Sequence, residues 1–222
     1  ILLLNSVYDK IIDTYKKEIA LQDNLIDIVR SNEVYDSVSV QLRKENKKFQ
    51  YGLLKSGGRA KEYENALNFL HTNGFIYKSY KILEVKSPLF SNKDKDSFKV
   101  YYNDCGLLYK KYALNFNKLN EEYKEILYEN SVAASLVSSG YTLEYYTSKG
   151  KAEIDFVIQT KAGNIVPIEL VPHIKTKSKA LGLFMEQYNI NEAFRITRDN
   201  FYKKNNVRYI PVYATFCLSD LI

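Results

Sequence analysis

Residues 153–172, EIDFVIQTKAGNIVPIELVP, hold two short apolar runs separated by KAG. Side chains alternate between the two faces of a strand, and a three-residue loop with glycine in the left-handed position closes an antiparallel hairpin. With Gly163 in that position, Asp155 falls directly opposite Glu169 and both carboxylates point the same way. Asp155 shares its face with Glu153 and Val157, and Glu169 shares its face with Pro167 and Val171, while Ile154, Phe156 and Ile158 make a greasier opposite face. Two like charges this close are costly unless a cation or a proton neutralises them. Oxygen ligands at such a place suit Mg²⁺ or Mn²⁺. The alternative left open is a pair of carboxylates at a wet sheet end.

The elements around this hairpin predict an α/β fold. NEEYKEILYENSVAASLVSSGY reads as a helix with Ile126, Ala133 and Leu136 or Val137 on one face, ended by Gly140. Glu129 lies three residues after Ile126 and four before Ala133, on the core-facing stripe, where a carboxylate needs a partner. It is the third candidate ligand beside Asp155 and Glu169; the alternative is that it snorkels. Strands follow at LEYYTS, AEIDFVIQ and NIVPIELV, then a helix around SKALGLFMEQYN, then strands at EAFRIT and RYIPVYATF.

The first half reads differently. Val7, Ile11, Ile12, Tyr15 and Ile19, then Leu21, Leu25, Ile28 and Val29, recur at helical spacing. A short helix and turn follow, then a glycine break, a helix with Tyr63, Ala66, Leu67 and Leu70 on one stripe, and Gly74 as its C-terminal cap. Helix, turn, helix and a two-stranded hairpin, FIYKSYKILEV with FKVYYND, is the order of a winged helix, with KSPLFSNKDKDS as the wing. The same order also serves a small helical module for protein contacts. The expected division is a helical and winged-helix module over 1–103 and a mixed sheet flanked by helices over 104–222.

Charge is concentrated in the first half. Residues 41–61 hold Arg43, Lys44, Lys47, Lys48, Lys55, Arg59 and Lys61 against Glu45 alone, a local excess equal to the net +6 of the whole chain. Such a stretch can face phosphates, which makes DNA a candidate partner; a solvated helix surface has the same look. Cys105 and Cys217 make neither a disulfide framework nor a zinc site. No window approaches the roughly 18 apolar residues of a membrane span, and no signal peptide opens the chain, so a cytoplasmic location is expected. The chain begins with Ile1 and looks like a piece of something longer.

The order Glu129, Asp155 and Glu169 on helix, strand and strand resembles the restriction-endonuclease-like fold. LYENSVAASLVSSGY, KAEIDFVIQ, IVPIELV and IPVYATF resemble the uncharacterised C-terminal domain attached to a group of prokaryotic AAA-type ATPases. SVQLRKENKKFQYGLLKSGGRAKEYENALNFLHTNGFIYK, PLF and FKVYYNDCGLL are similar to the segment that precedes that domain. The resemblance implies an ATPase domain on the N-terminal side, a winged-helix module and a nuclease-like module. No G-x-x-x-x-G-K-[ST] occurs in the chain, so it should neither bind nor hydrolyse ATP by itself. In active members of the wider fold, residues matching Glu129, Asp155 and Glu169 hold Mg²⁺ and a lysine orients the attacking water. Here the lysine position is Val171; Lys151, Lys175, Lys177 and Lys179 are the candidate substitutes. Three functions follow as expectations: a non-catalytic DNA- or partner-binding module, a Mg²⁺- or Mn²⁺-dependent nuclease with a relocated lysine, and a domain that binds another protein or its own copy.

Overall fold

The computed structural model describes residues 2–112, 119–148, 152–171 and 179–221. The first segment is helical, as its spacing predicts, and forms two helices, α1 (Leu2–Ile19) and α2 (Leu25–Gln41). The break has a local cause: the Asn24 side chain accepts from Ile26 N at 2.9 Å and caps α2. α2 buries Ser31, Val34, Tyr35, Val38 and Gln41, a helical stripe. After a 3-10 turn at Tyr51–Leu53 come α3 (Ala60–Thr72), β1 (Ile76–Ile82), β2 (Lys93–Tyr102) and α4 (Cys105–Tyr112).

The second half runs α5 (Glu121–Ser138), β3 (Leu143–Thr147), β4 (Glu153–Gln159), β5 (Ile165–Leu170), α6 (Ala180–Gln187), β6 (Ala193–Thr197), β7 (Tyr202–Lys204), β8 (Val207–Pro211), a 3-10 segment at Val212–Cys217 and α7 (Leu218–Leu221). Gly140 takes φ +87 just after α5 while Tyr141 N–H bonds Leu136 O, so the expected glycine cap is formed. The KAG turn also forms as spaced: Gly163 has φ +88, and Thr160 N–H bonds Asn164 O at 2.9 Å across the three loop residues.

The strands make one mixed sheet in the order β2-β1-β3-β4-β5-β6-β8-β7. β1 runs parallel to β3, with Ser79 beside Leu143. The strand assigned by sequence to a hairpin is thus also a member of the main sheet. β4 and β5 are antiparallel, and β5, β6 and β8 run parallel.

Two compact units emerge, residues 1–78 with 99–130 and residues 79–98 with 131–222. In the first, α2 packs on α3 and α1 on α4. Its core includes Val34, Tyr35, Val38, Leu67 and Leu70, and the Asn130 side chain closes both backbone bonds of Tyr102 at 2.9 and 3.0 Å. In the second, Ile82, Leu89, Ile154, Val157 and Ala193 form one apolar cluster with Leu181 and Phe184 of α6. No helix among the described residues is long and apolar enough to cross a membrane.

Candidate functional site

Glu129 lies on α5 in the first unit and is 3% exposed, as its place on the apolar stripe predicts. Lys99 and Tyr101 are two apart on β2 and therefore on one strand face. The Lys99 Nζ lies 3.4 Å from Glu129 Oε1, and the Tyr101 hydroxyl donates to the same oxygen at 2.6 Å. The Lys47 ammonium donates to Oε2. Lys47 stands in the turn after α2 with φ +48, a left-handed backbone that costs a residue with a β-carbon roughly 1–2 kcal/mol. The ion pair helps to hold it there.

Burial pushes the Glu129 carboxyl up, but the Lys47 and Lys99 ammonium groups and the Lys47 and Tyr101 hydrogen bonds outweigh it, leaving the pKa at about 2 against an ordinary 4.5. The folded value lies below the unfolded one. The contribution is therefore complete above about pH 4.5 and fades as pH falls towards about 2, a span worth roughly 3 kcal/mol. Urea midpoints measured downward from about pH 6 should fall across that window, and Glu129→Gln should remove this part of the fall.

In the second unit a polar row crosses one face of the sheet. Phe156 pairs with Ile168, so one step further the register sets Asp155 opposite Glu169. Glu169 is in register with Arg195 on β6, Arg195 with Tyr209 on β8, and Tyr209 with Tyr202 on β7. Contacts follow the register. Leu170 N–H donates to Asp155 Oδ2 at 2.8 Å. Arg195 Nε donates to Glu169 Oε2 at 2.8 Å, and its Nη1 donates to the Tyr209 hydroxyl at 3.0 Å. The Tyr209 and Tyr202 rings stack with centroids 3.9 Å apart. Asp155 is half-buried and Glu169 buried.

Arg195 and Tyr209 were missed in the sequence. Their signal was a lone cation in the apolar strand AFRIT, followed in register by a tyrosine in RYIP. The Lys47–Glu129 pair, 82 residues apart, has no such local signal.

Val171 is 4% exposed, and its N–H bonds Ile196 O at 2.9 Å. Of the candidate replacement lysines, Lys151, Lys175 and Lys177 lie outside the described residues; Lys179 is exposed just before α6. In the basic stretch Arg43, Lys44, Lys55, Arg59 and Lys61 are exposed, while Lys47 and Lys48 are half-buried. The Arg43 guanidinium lies 5.2 Å from the Tyr123 ring centre. Among the described residues no group of three or more His, Cys, Asp or Glu is placed to hold a metal. Both cysteines are half-buried, and neither is in a disulfide.

Residues 3–120, more than half of the chain, match a family described as a domain of unknown function, DUF8612. The chain belongs to the DUF8612 family. Residues 124–214 match a second domain of unknown function, DUF4143. No curated protein and no solved structure matches the chain. The DUF8612 segment holds the basic stretch together with Lys47, Lys99 and Tyr101, while Glu129 and the whole polar row lie in the DUF4143 segment.

Proposed function

We propose that the chain is an accessory part of a prokaryotic AAA-type ATPase and works as a non-catalytic DNA-binding module, a winged helix followed by a restriction-endonuclease-like fold without its chemistry. The observation that carries this reading is Val171. Two residues after Glu169, where such folds place the lysine that orients water and offsets developing charge, stands a buried valine that can do neither. The acidic residues support it: Glu129 is engaged by Lys47, Lys99 and Tyr101, and Glu169 by Arg195. Such a donor set does not suit Mg²⁺ or Mn²⁺, which take oxygen ligands whose charge is turned towards the ion. The ATPase association is supported by the DUF4143 match, since that domain is commonly ATPase-associated.

The DNA contact is assigned to the exposed cations Arg43, Lys44, Lys55, Arg59 and Lys61. Binding to duplex DNA should weaken with salt, and alanine at each residue that neutralises a phosphate should reduce the logarithmic slope by about 0.9. Lys47→Ala should lower stability and leave the slope unchanged, because its ammonium serves Glu129. No cleavage of single- or double-stranded DNA is expected with Mg²⁺ or Mn²⁺. Metal-dependent cleavage abolished by Asp155→Ala would overturn the reading.

A second reading has its own observation. Leu25, Ile26 and Val29 are 72%, 56% and 50% exposed at the start of α2 and line one hollow, an apolar patch of the kind that binds protein. Absence of any measurable DNA affinity even at low salt would favour a protein partner, including a second copy of the chain.

A further inference from the structure

Asp155 and Glu169 oppose each other on neighbouring strands, and like charges so placed repel unless a counter-charge joins them. In this chain the counter-charge comes from the next strand. Arg195 is in register with Glu169, donates Nε to its Oε2 at 2.8 Å, and is fixed through Nη1 to the Tyr209 hydroxyl at 3.0 Å. We propose that Arg195 is a built-in cation that makes this acidic row independent of metal, filling the electrostatic place a divalent ion would otherwise take. The inference rests on the reading of the module as non-catalytic and names the residue that keeps metal out.

Three features suit Arg195 to the task. Its guanidinium keeps its charge at every accessible pH and presents its donors in a rigid plane. Its side chain is only 16% exposed beside a Glu169 side chain at 6%, so solvent ions screen the pair weakly. Tyr209, which receives its second bond, is itself braced by the stacked ring of Tyr202. A cation anchored at this many points does not exchange with the medium.

The test uses the whole chain, with Mn²⁺ as the probe, followed by calorimetric titration and by thermal midpoint. Wild type should give no binding heat and no change of midpoint. Arg195→Met removes the charge at similar length and should create a Mn²⁺ site, so that the midpoint rises with Mn²⁺ concentration. Arg195→Met combined with Asp155→Asn should lose both effects. If Arg195→Met is unfolded without metal, Mn²⁺ should restore its folded fraction. The proposal is overturned if wild type binds Mn²⁺ in an Asp155-dependent way, if a folded Arg195→Met ignores Mn²⁺, or if an unfolded one stays unfolded at saturating Mn²⁺. Mn²⁺ binding by wild type would remove one support of the non-catalytic reading without deciding it, because only metal-dependent DNA cleavage overturns that reading.

Discussion

Glu129→Ala lowers the free energy of unfolding by about 3–5 kcal/mol, read as a reduced urea midpoint at neutral pH in the presence of a chelator. The reason is the order of interactions at a 3% exposed carboxylate. Lys99 is 1% exposed and Lys47 half-buried, so the variant takes from both cations the anion they share, in a poorly solvated place. The partners should matter less one at a time, because Glu129 keeps the others. Tyr101→Phe deletes a 2.6 Å bond to a charged acceptor and should cost about 1.5–3 kcal/mol. The sign of the Glu129→Ala effect decides between two roles. A carboxylate kept for a metal repels its neighbours in metal-free protein, and its removal would then stabilise the fold; the clamp described above demands the opposite.

Glu169→Ala should cost about 3 kcal/mol under the same conditions, by the same logic on the sheet. It leaves the Arg195 guanidinium with Tyr209 but without the carboxylate beside it. Asp155→Ala should cost less, since the half-buried Asp155 gives up its bond from Leu170 N–H at a place water can reach. A metal-binding pair would reverse the picture, with both alanine variants at or above wild-type stability in chelator. Measurement of the two variants side by side therefore separates an internal ion pair from a ligand set before any nuclease assay is run.

What could be read from the sequence follows the range of the interactions. The KAG turn fixed the register that opposes Asp155 and Glu169, because three loop residues with a left-handed glycine leave one pairing. Gly140 and the apolar stripe of α5 placed Glu129 on the buried side in the same local way. The apolar spacing marked the first segment as helical without saying where it breaks; the break is set by Asn24, whose side chain caps the second helix. β7 is three residues long and has no pattern of its own; it exists because Tyr202 pairs with Tyr209. The partners of the acidic residues were beyond reach for a different reason. A helical stripe says that Glu129 needs a counter-charge, but only the folded backbone brings Lys47, Lys99 and Tyr101 to it. The need was visible; the side chains that meet it come from distant positions.

The Glu129 clamp also bears on how such a chain can be assembled by exchange of parts. The two matched families meet at residues 121–123, with the buried anion on one side of the seam and Lys47, Lys99 and Tyr101 on the other. A crossover at that seam that delivered a new first segment without these donors would bury an anion with no counter-charge. The two segments are recognised separately, yet the clamp ties them together: a chimaera joined at the seam should remain folded only if the donors travel with the acceptor, or if Glu129 is exchanged for an apolar residue in the same step.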